Sequence, residues 1–163
     1  MKVAVVMGSK SDMSVVGKTL ETLEKFEIPF EARVISAHRS PEIAAEFAKT
    51  AEERGVEVII AAAGKAAHLA GVMAGHAAIP VIGLPIKSSM MDGLDSLLST
   101  VQMPDGIPVA TVAVNGAANA AILAAQILSV KYEGIRKALK DYKFEMQQKV
   151  IQADEQLQAE AAK

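Results

Sequence analysis

The stretch Val3-Ala4-Val5-Val6-Met7-Gly8-Ser9-Lys10-Ser11-Asp12 decides the fold. Its apolar half is too short for a helix and has no polar face, so it reads as a strand buried on both sides. Its second half breaks at once into glycine, serines and an aspartate, a polar turn that opens a helix. From Asp12 to Phe26 the apolar residues Val15, Val16, Leu20, Leu23 and Phe26 share one helical stripe. A buried strand feeding an amphipathic helix is the repeating unit of a parallel sheet.

The same grammar continues along the chain. Glu31 to Ile35 reads as a second strand that ends in Ser36-Ala37-His38-Arg39-Ser40-Pro41. Ser40 is placed as an N-cap and Pro41 at the first helical position, where a missing N–H costs nothing. That helix is expected to run to Gly55 as its C-cap. Further strands are expected at Val56 to Ala62, Ile79 to Leu84 (ended by Pro85) and Pro108 to Val114. Helices are expected at Ala66 to His76, Leu94 to Val101 (with Leu94, Leu97, Leu98 and Val101 on an apolar stripe) and Ala117 to Val130. Five strands with helices between them predict an α/β three-layer sandwich around a five-stranded parallel sheet of flavodoxin-like order.

The end of the chain differs. From Tyr132 to about Ala159 the residues Ile135, Leu139, Tyr142, Met146, Val150, Ala153 and Leu157 keep one narrow stripe over a long C-terminal helix. Residues 1–163 read as a single α/β domain, with 132–163 a helix whose outer part is expected to pack on neighbouring subunits. With 163 residues, the chain can bury about 70% of its unfolded surface. A net charge of −2 argues against general nucleic-acid binding. The absence of cysteine excludes disulfides and thiolate chemistry and fits a reducing cytoplasm. No cleavable apolar leader and no membrane span is expected.

In an open parallel sheet the turns after the strands lie side by side at the carboxyl edge, where ligands bind. Ser9 and Ser11 offer hydroxyls beside a helix start that favours an anion, which suggests phosphate binding. The turn lacks the spacing of a P-loop or a dinucleotide fingerprint. Asp12, acidic beside an anion site, is expected to face sugar hydroxyls. His38 is the candidate acid/base, since an imidazole can give and take a proton near neutral pH. Ser36 and Arg39 flank it, and a guanidinium can grip phosphate with two hydrogen bonds. Gly64-Lys65-Ala66-Ala67-His68-Leu69 forms the third turn, with small residues on which a ligand can lie; His68 reads equally as a contact or as a buried residue satisfied by a carbonyl. Three histidines without clustered acids give no credible metal set.

Taken together, Met7-Gly8-Ser9-Lys10-Ser11-Asp12, Ser36-Ala37-His38-Arg39, Gly64 to Leu69, Gly93-Leu94-Asp95-Ser96-Leu97-Leu98-Ser99 and Val101-Gln102-Met103-Pro104 resemble the N5-carboxyaminoimidazole ribonucleotide mutase family, class I. The likeness runs in order from Val3 to Leu128. It implies movement of a carboxylate from N5 to C4 of an aminoimidazole ribonucleotide in purine synthesis, with no metal and no cofactor. It implies a homo-octamer with sites shared between subunits. By position it assigns Ser9, Asp12 and Arg39 to the ribose phosphate, Ser36 to the same site, and His38 to general acid/base work. Gly64, Ala66, Ala67, His68 and Leu69 would wall the CO2 and imidazole side. Departures from the family pattern are Met13, Lys65, Ala70 (where proline is usual), and Gly75 and Ala77 in Ala74-Gly75-His76-Ala77.

Three other readings are set beside the mutase. A direct CO2-dependent carboxylase of the same ribonucleotide is the nearest. A catalytically weakened assembly scaffold is motivated by the cluster of alanines Ala70, Ala77, Ala78 and Ala118. A signalling receiver would need an aspartate at the third strand end, where this chain has Ala63-Gly64-Lys65.

Overall fold

The structure, a computed structural model, describes residues 1–162. Strand β1 (Val3–Met7) is buried along its whole length and pairs in parallel on both sides. Met7 lies opposite Val34 of β2 (Phe30–Val34) and Ala62 of β3 (Val58–Gly64). With β4 (Val81–Ile86) and β5 (Ala110–Thr111) the sheet order is β2-β1-β3-β4-β5, the flavodoxin-like arrangement expected. Strand alternation sends Val3, Val5 and Met7 into one core and Ala4 and Val6 into the other. Helices α1 (Met13–Lys25) and α5 (Ala117–Ser129), with the start of α6 (Glu133–Ala161), cover the first face. Helices α2 (Pro41–Lys49) and α3 (Leu69–His76) cover the second, with α4 (Leu94–Val101) beside α3. Among the described residues no helix is long and apolar enough to cross a membrane.

Several boundaries move for definite reasons. β4 does not stop at Pro85 but runs through it. In β4, Gly83 and Pro85 turn their polar groups toward β5: Gly83 O accepts from Val112 N and Pro85 O from Asn115 N. Pro85 has no N–H to give β5, so the β4–β5 pairing ends at Thr111 and the expected strand at 108–114 shrinks to two residues. α2 ends at Lys49, and Gly55 instead closes the turn before β3, with φ +77. Ser40 occupies the N-cap position without capping: its hydroxyl donates to Ser36 O and accepts from Ser36 N. α3 begins at Leu69 because His68 N–H bonds Ala66 O in a tight non-helical turn about Ala67, whose own N–H goes to Ser99 Oγ.

α4 carries the apolar stripe expected, on the side away from the sheet. Its leucine stripe faces outward, with Leu94, Leu98 and Val101 each more than 40% exposed, while Ser96 and Thr100 are buried. The helix approaches β4 so closely that only small polar residues fit beneath it. Ser96 Oγ donates to Ile86 O at 2.8 Å and Thr100 Oγ1 to Ser96 O at 2.7 Å, so neither hydroxyl is left unpaired. α6 divides along its length: Ile135 and Leu139 are buried and Tyr142 meets Phe26 edge-on at 5.5 Å, but Met146, Val150 and Leu157 are exposed.

The close approach depends on Gly83. A Cβ there would collide with Thr100 Cγ2 and come within 2.9 Å of Val109 Cγ1. Gly83→Ala is expected to cost about 1–3 kcal/mol of stability through overpacking. Urea unfolding measures it; a variant as stable as the parent would show that α4 sits looser than described.

Candidate active site

Parallel strands deliver their ends to one rim, and there the turns enclose a cavity of about 620 Å³, a size suited to a small-molecule ligand. The turn after β1 is built as a capping box. Ser9 N donates to Asp12 Oδ2 at 3.1 Å, Ser9 Oγ accepts from Ser11 N, and the two serine hydroxyls lie 2.9 Å apart. Gly8 does not have a left-handed backbone, and a Cβ there would meet nothing closer than 3.9 Å. Gly8 lines the cavity, and what its missing side chain supplies is room there for a ligand to approach the backbone.

The turn after β2 is clamped onto the first. Arg39 Nη2 donates to Gly8 O at 3.1 Å, and Ser36 Oγ accepts from both Arg39 N and Arg39 Nε. These bonds use two of the five guanidinium hydrogens, so three remain for a ligand. His38 reaches across to the turn after β3: its Nε2 lies 2.8 Å from His68 Nδ1, with the rings nearly perpendicular at 82°. One ring nitrogen must carry the shared proton and the other must accept it. His68 is thus an exposed partner of His38, not a buried residue satisfied by a carbonyl, and His76 is exposed in the last turn of α3.

Ser9, Asp12, Ser36, His38, Arg39, Gly64, Ala66, His68 and Leu69 all line this cavity. Ala67 does not; it is buried behind the wall, with its N–H on Ser99 Oγ. Ser11, Lys65, Lys87 and Ser88 line it as well. Ser99 was missed as a site-shaping residue. Its hydroxyl also lies 3.2 Å from Lys65 O, so α4 holds the β3 turn in place. Its sequence signal was its place at the end of the Gly93 to Ser99 block, which does not say which wall of the site it holds.

The AIR carboxylase family model matches residues 2–149. The N5-carboxyaminoimidazole ribonucleotide mutase of Pyrococcus abyssi is 60% identical over 89% of this chain and 83% of that protein. The enzyme of the same name from Thermotoga maritima is 52% identical over 96% of this chain and 92% of that protein. Among solved structures, the PurE of Treponema denticola superposes with a TM-score of 0.86 at 32% identity, covering 96% of this chain and 98% of that chain.

Asp12 is the electrostatic oddity of the rim. Burial pushes its carboxyl above the usual range, against the lowering pull of its bonds with Ser9 N and Ser11. The folded protein therefore holds this proton more tightly than the unfolded chain does. Its contribution to stability is present at low pH and is lost as pH rises through the raised value, so at neutral pH the ionised carboxylate is a net cost. Asp12→Asn removes that cost and keeps an acceptor for Ser9 N. Its melting temperature, relative to the parent, is expected to be higher at about pH 7 than at about pH 3.5. An advantage that does not grow with pH would contradict the assignment.

Proposed function

The chain belongs to the AIR carboxylase family, and from that premise we propose that it is a 5-(carboxyamino)imidazole ribonucleotide mutase, with His38 as the general acid/base. The isomerase acts in purine synthesis on a small phosphoribosyl substrate. The observation that carries the catalytic reading is the His38–His68 pair, 2.8 Å apart in the cavity that also holds Arg39 and the Ser9–Asp12 turn.

The chemistry balances around one proton. The N5–carboxylate bond breaks as N5 takes a proton, leaving the free amine and CO2. The electron-rich C4 then attacks the same CO2, and the C4 hydrogen leaves as a proton to restore the aromatic ring. One proton enters and one departs, so a single imidazole can serve both steps and end as it began. His38 gives the proton to N5 and takes the one from C4, while His68 fixes the ring through the shared hydrogen bond. CO2 must stay beside C4 between the steps, and Gly64, Ala66 and Leu69 provide an apolar wall for it. Arg39, with the Ser9 and Ser11 hydroxyls, takes the phosphate, and Asp12 takes the ribose.

The mutase name on relatives at 60% and 52% identity favours this reading over direct carboxylation. A chloroplastic phosphoribosylaminoimidazole carboxylase is also related, at 46% identity over 94% of this chain but only 28% of that protein. His38→Asn is expected to lower kcat by about a hundredfold to ten-thousandfold while ribonucleotide binding persists. Near-parental turnover would remove His38 from the mechanism. Turnover with aminoimidazole ribonucleotide and CO2, and none with the N-carboxylated form, would replace the mutase by the carboxylase.

The protein works as a cytoplasmic homo-octamer in this proposal. The outward stripe of Leu94, Leu98 and Val101 and the exposed Met146, Val150 and Leu157 of α6 support self-association, because apolar rows of this extent are seldom left in water. Leu98→Glu is expected to lower the mass measured by light scattering. An unchanged mass would place the contact elsewhere.

A further inference from the structure

We propose that the Lys65 ammonium binds the migrating carboxylate of the substrate, an assignment that deepens the function proposed above and rests on it. The substrate carries two anionic groups, a phosphate and a carboxylate, and the cavity offers cations on two sides. Arg39 stands with Ser9 and Ser11 at the tips of β1 and β2. Lys65 and Lys87 follow β3 and β4 on the other side. Neighbouring strands are about 4.8 Å apart, so two spacings separate the β2 and β3 tips by on the order of 10 Å. A ribonucleotide anchored by its phosphate at the first pair of tips extends its heterocycle over β3.

Of the two lysines, Lys87 is engaged: its Nζ lies 3.0 Å from Asp92 Oδ1. Lys65 forms no ion pair among the described residues. Its backbone is also unusual, with φ +58, a left-handed conformation that disfavours a side chain. Ser99 holds the turn in that shape, accepting Ala67 N–H at 3.0 Å and lying 3.2 Å from Lys65 O. The fold thus keeps a long cationic side chain at a position suited to glycine, on the wall of the cavity next to Gly64 and Ala66. An unpaired ammonium there attracts the carboxylate on either N5 or C4, whereas the uncarboxylated ribonucleotide keeps only its phosphate, anchored on the order of 10 Å away at the β1 and β2 tips.

Three variants of the full chain separate charge from backbone: Lys65→Met, Lys65→Gly and Lys65→Arg. Each is titrated calorimetrically with the C4-carboxylated product ribonucleotide and with aminoimidazole ribonucleotide. Lys65→Met and Lys65→Gly are expected to bind the carboxylated ligand about fivefold more weakly and the uncarboxylated one unchanged. Lys65→Arg is expected to match the parent on both. Lys65→Gly alone gains melting temperature, by about 2 °C, because it alone relieves the left-handed strain. Equal weakening for both ligands, or weakening for neither, overturns the assignment. A parent protein that binds neither ribonucleotide overturns the proposed function itself, a result distinct from any difference among the variants.

Discussion

Everything at the rim depends on β1 being paired in parallel on both sides. Met7 has Val34 on one flank and Ala62 on the other, so Gly8 and Ile35 leave the sheet together, while β3 runs on to Gly64 against β4. Ile35 N donates to Met7 O and Gly8 N to Ala62 O, which extends the ladder one bond beyond the strand and fixes where each turn begins. A slip of one residue in either pairing would exchange the two core faces and carry Ser9, His38 or His68 away from the others. The apolar run Val3 to Met7, buried on both faces, makes that slip expensive. The stability of the sheet and the convergence of the site are therefore one constraint.

The α4 packing carries a second consequence from core to surface. Because Gly83 lets Thr100 and Ser96 lie against β4, the helix presents Ser99 to the β3 turn and its leucines to the outside. Site wall and apolar surface are opposite sides of the same helix. A bulkier β4 would lift α4, releasing Lys65 O and Ala67 N from Ser99 and tilting the outer stripe. In this sense the geometry beside His68 and the surface available to another copy are set by one glycine.

Much of this was legible in the residues. Val3 to Met7 and Val56 to Ala62 read as buried strands, and alternation with helices left one architecture. The turns after the first three strands were legible as well, since Ser9, Asp12, His38 and Arg39 are poor choices for packing and good ones for binding. Orientation was harder to read. The Leu94, Leu97, Leu98 and Val101 spacing says that a helix has an apolar face, but not which neighbour covers it. The partners that let Ser96 and Thr100 be buried, Ile86 O and the backbone of α4 itself, do not show in a pattern of side chains. Pro85 looked like a strand end because its missing N–H matters only on the side facing β5.

Departures from ordinary residue preference are unevenly spread, and their distribution bears on function. Of the five non-glycine residues with positive φ among the described residues, Glu27 merely ends α1, whereas Lys65, Met91, Asp92 and Asn115 all lie in the connections at the carboxyl rim. The raised Asp12 carboxyl is there too. The two hydrophobic cores, by contrast, are filled mainly by Val, Ile, Leu and Ala, with Met7, Phe26, Phe47 and Met73 among them. A chain free to minimise energy everywhere would place glycine at Lys65 and a neutral side chain at Asp12. Strain held at one rim of an otherwise well-ordered sandwich is what a binding site requires, since groups that suit a ligand are partly unsatisfied without it. The regularity of the sheet is what lets the rim tolerate that cost.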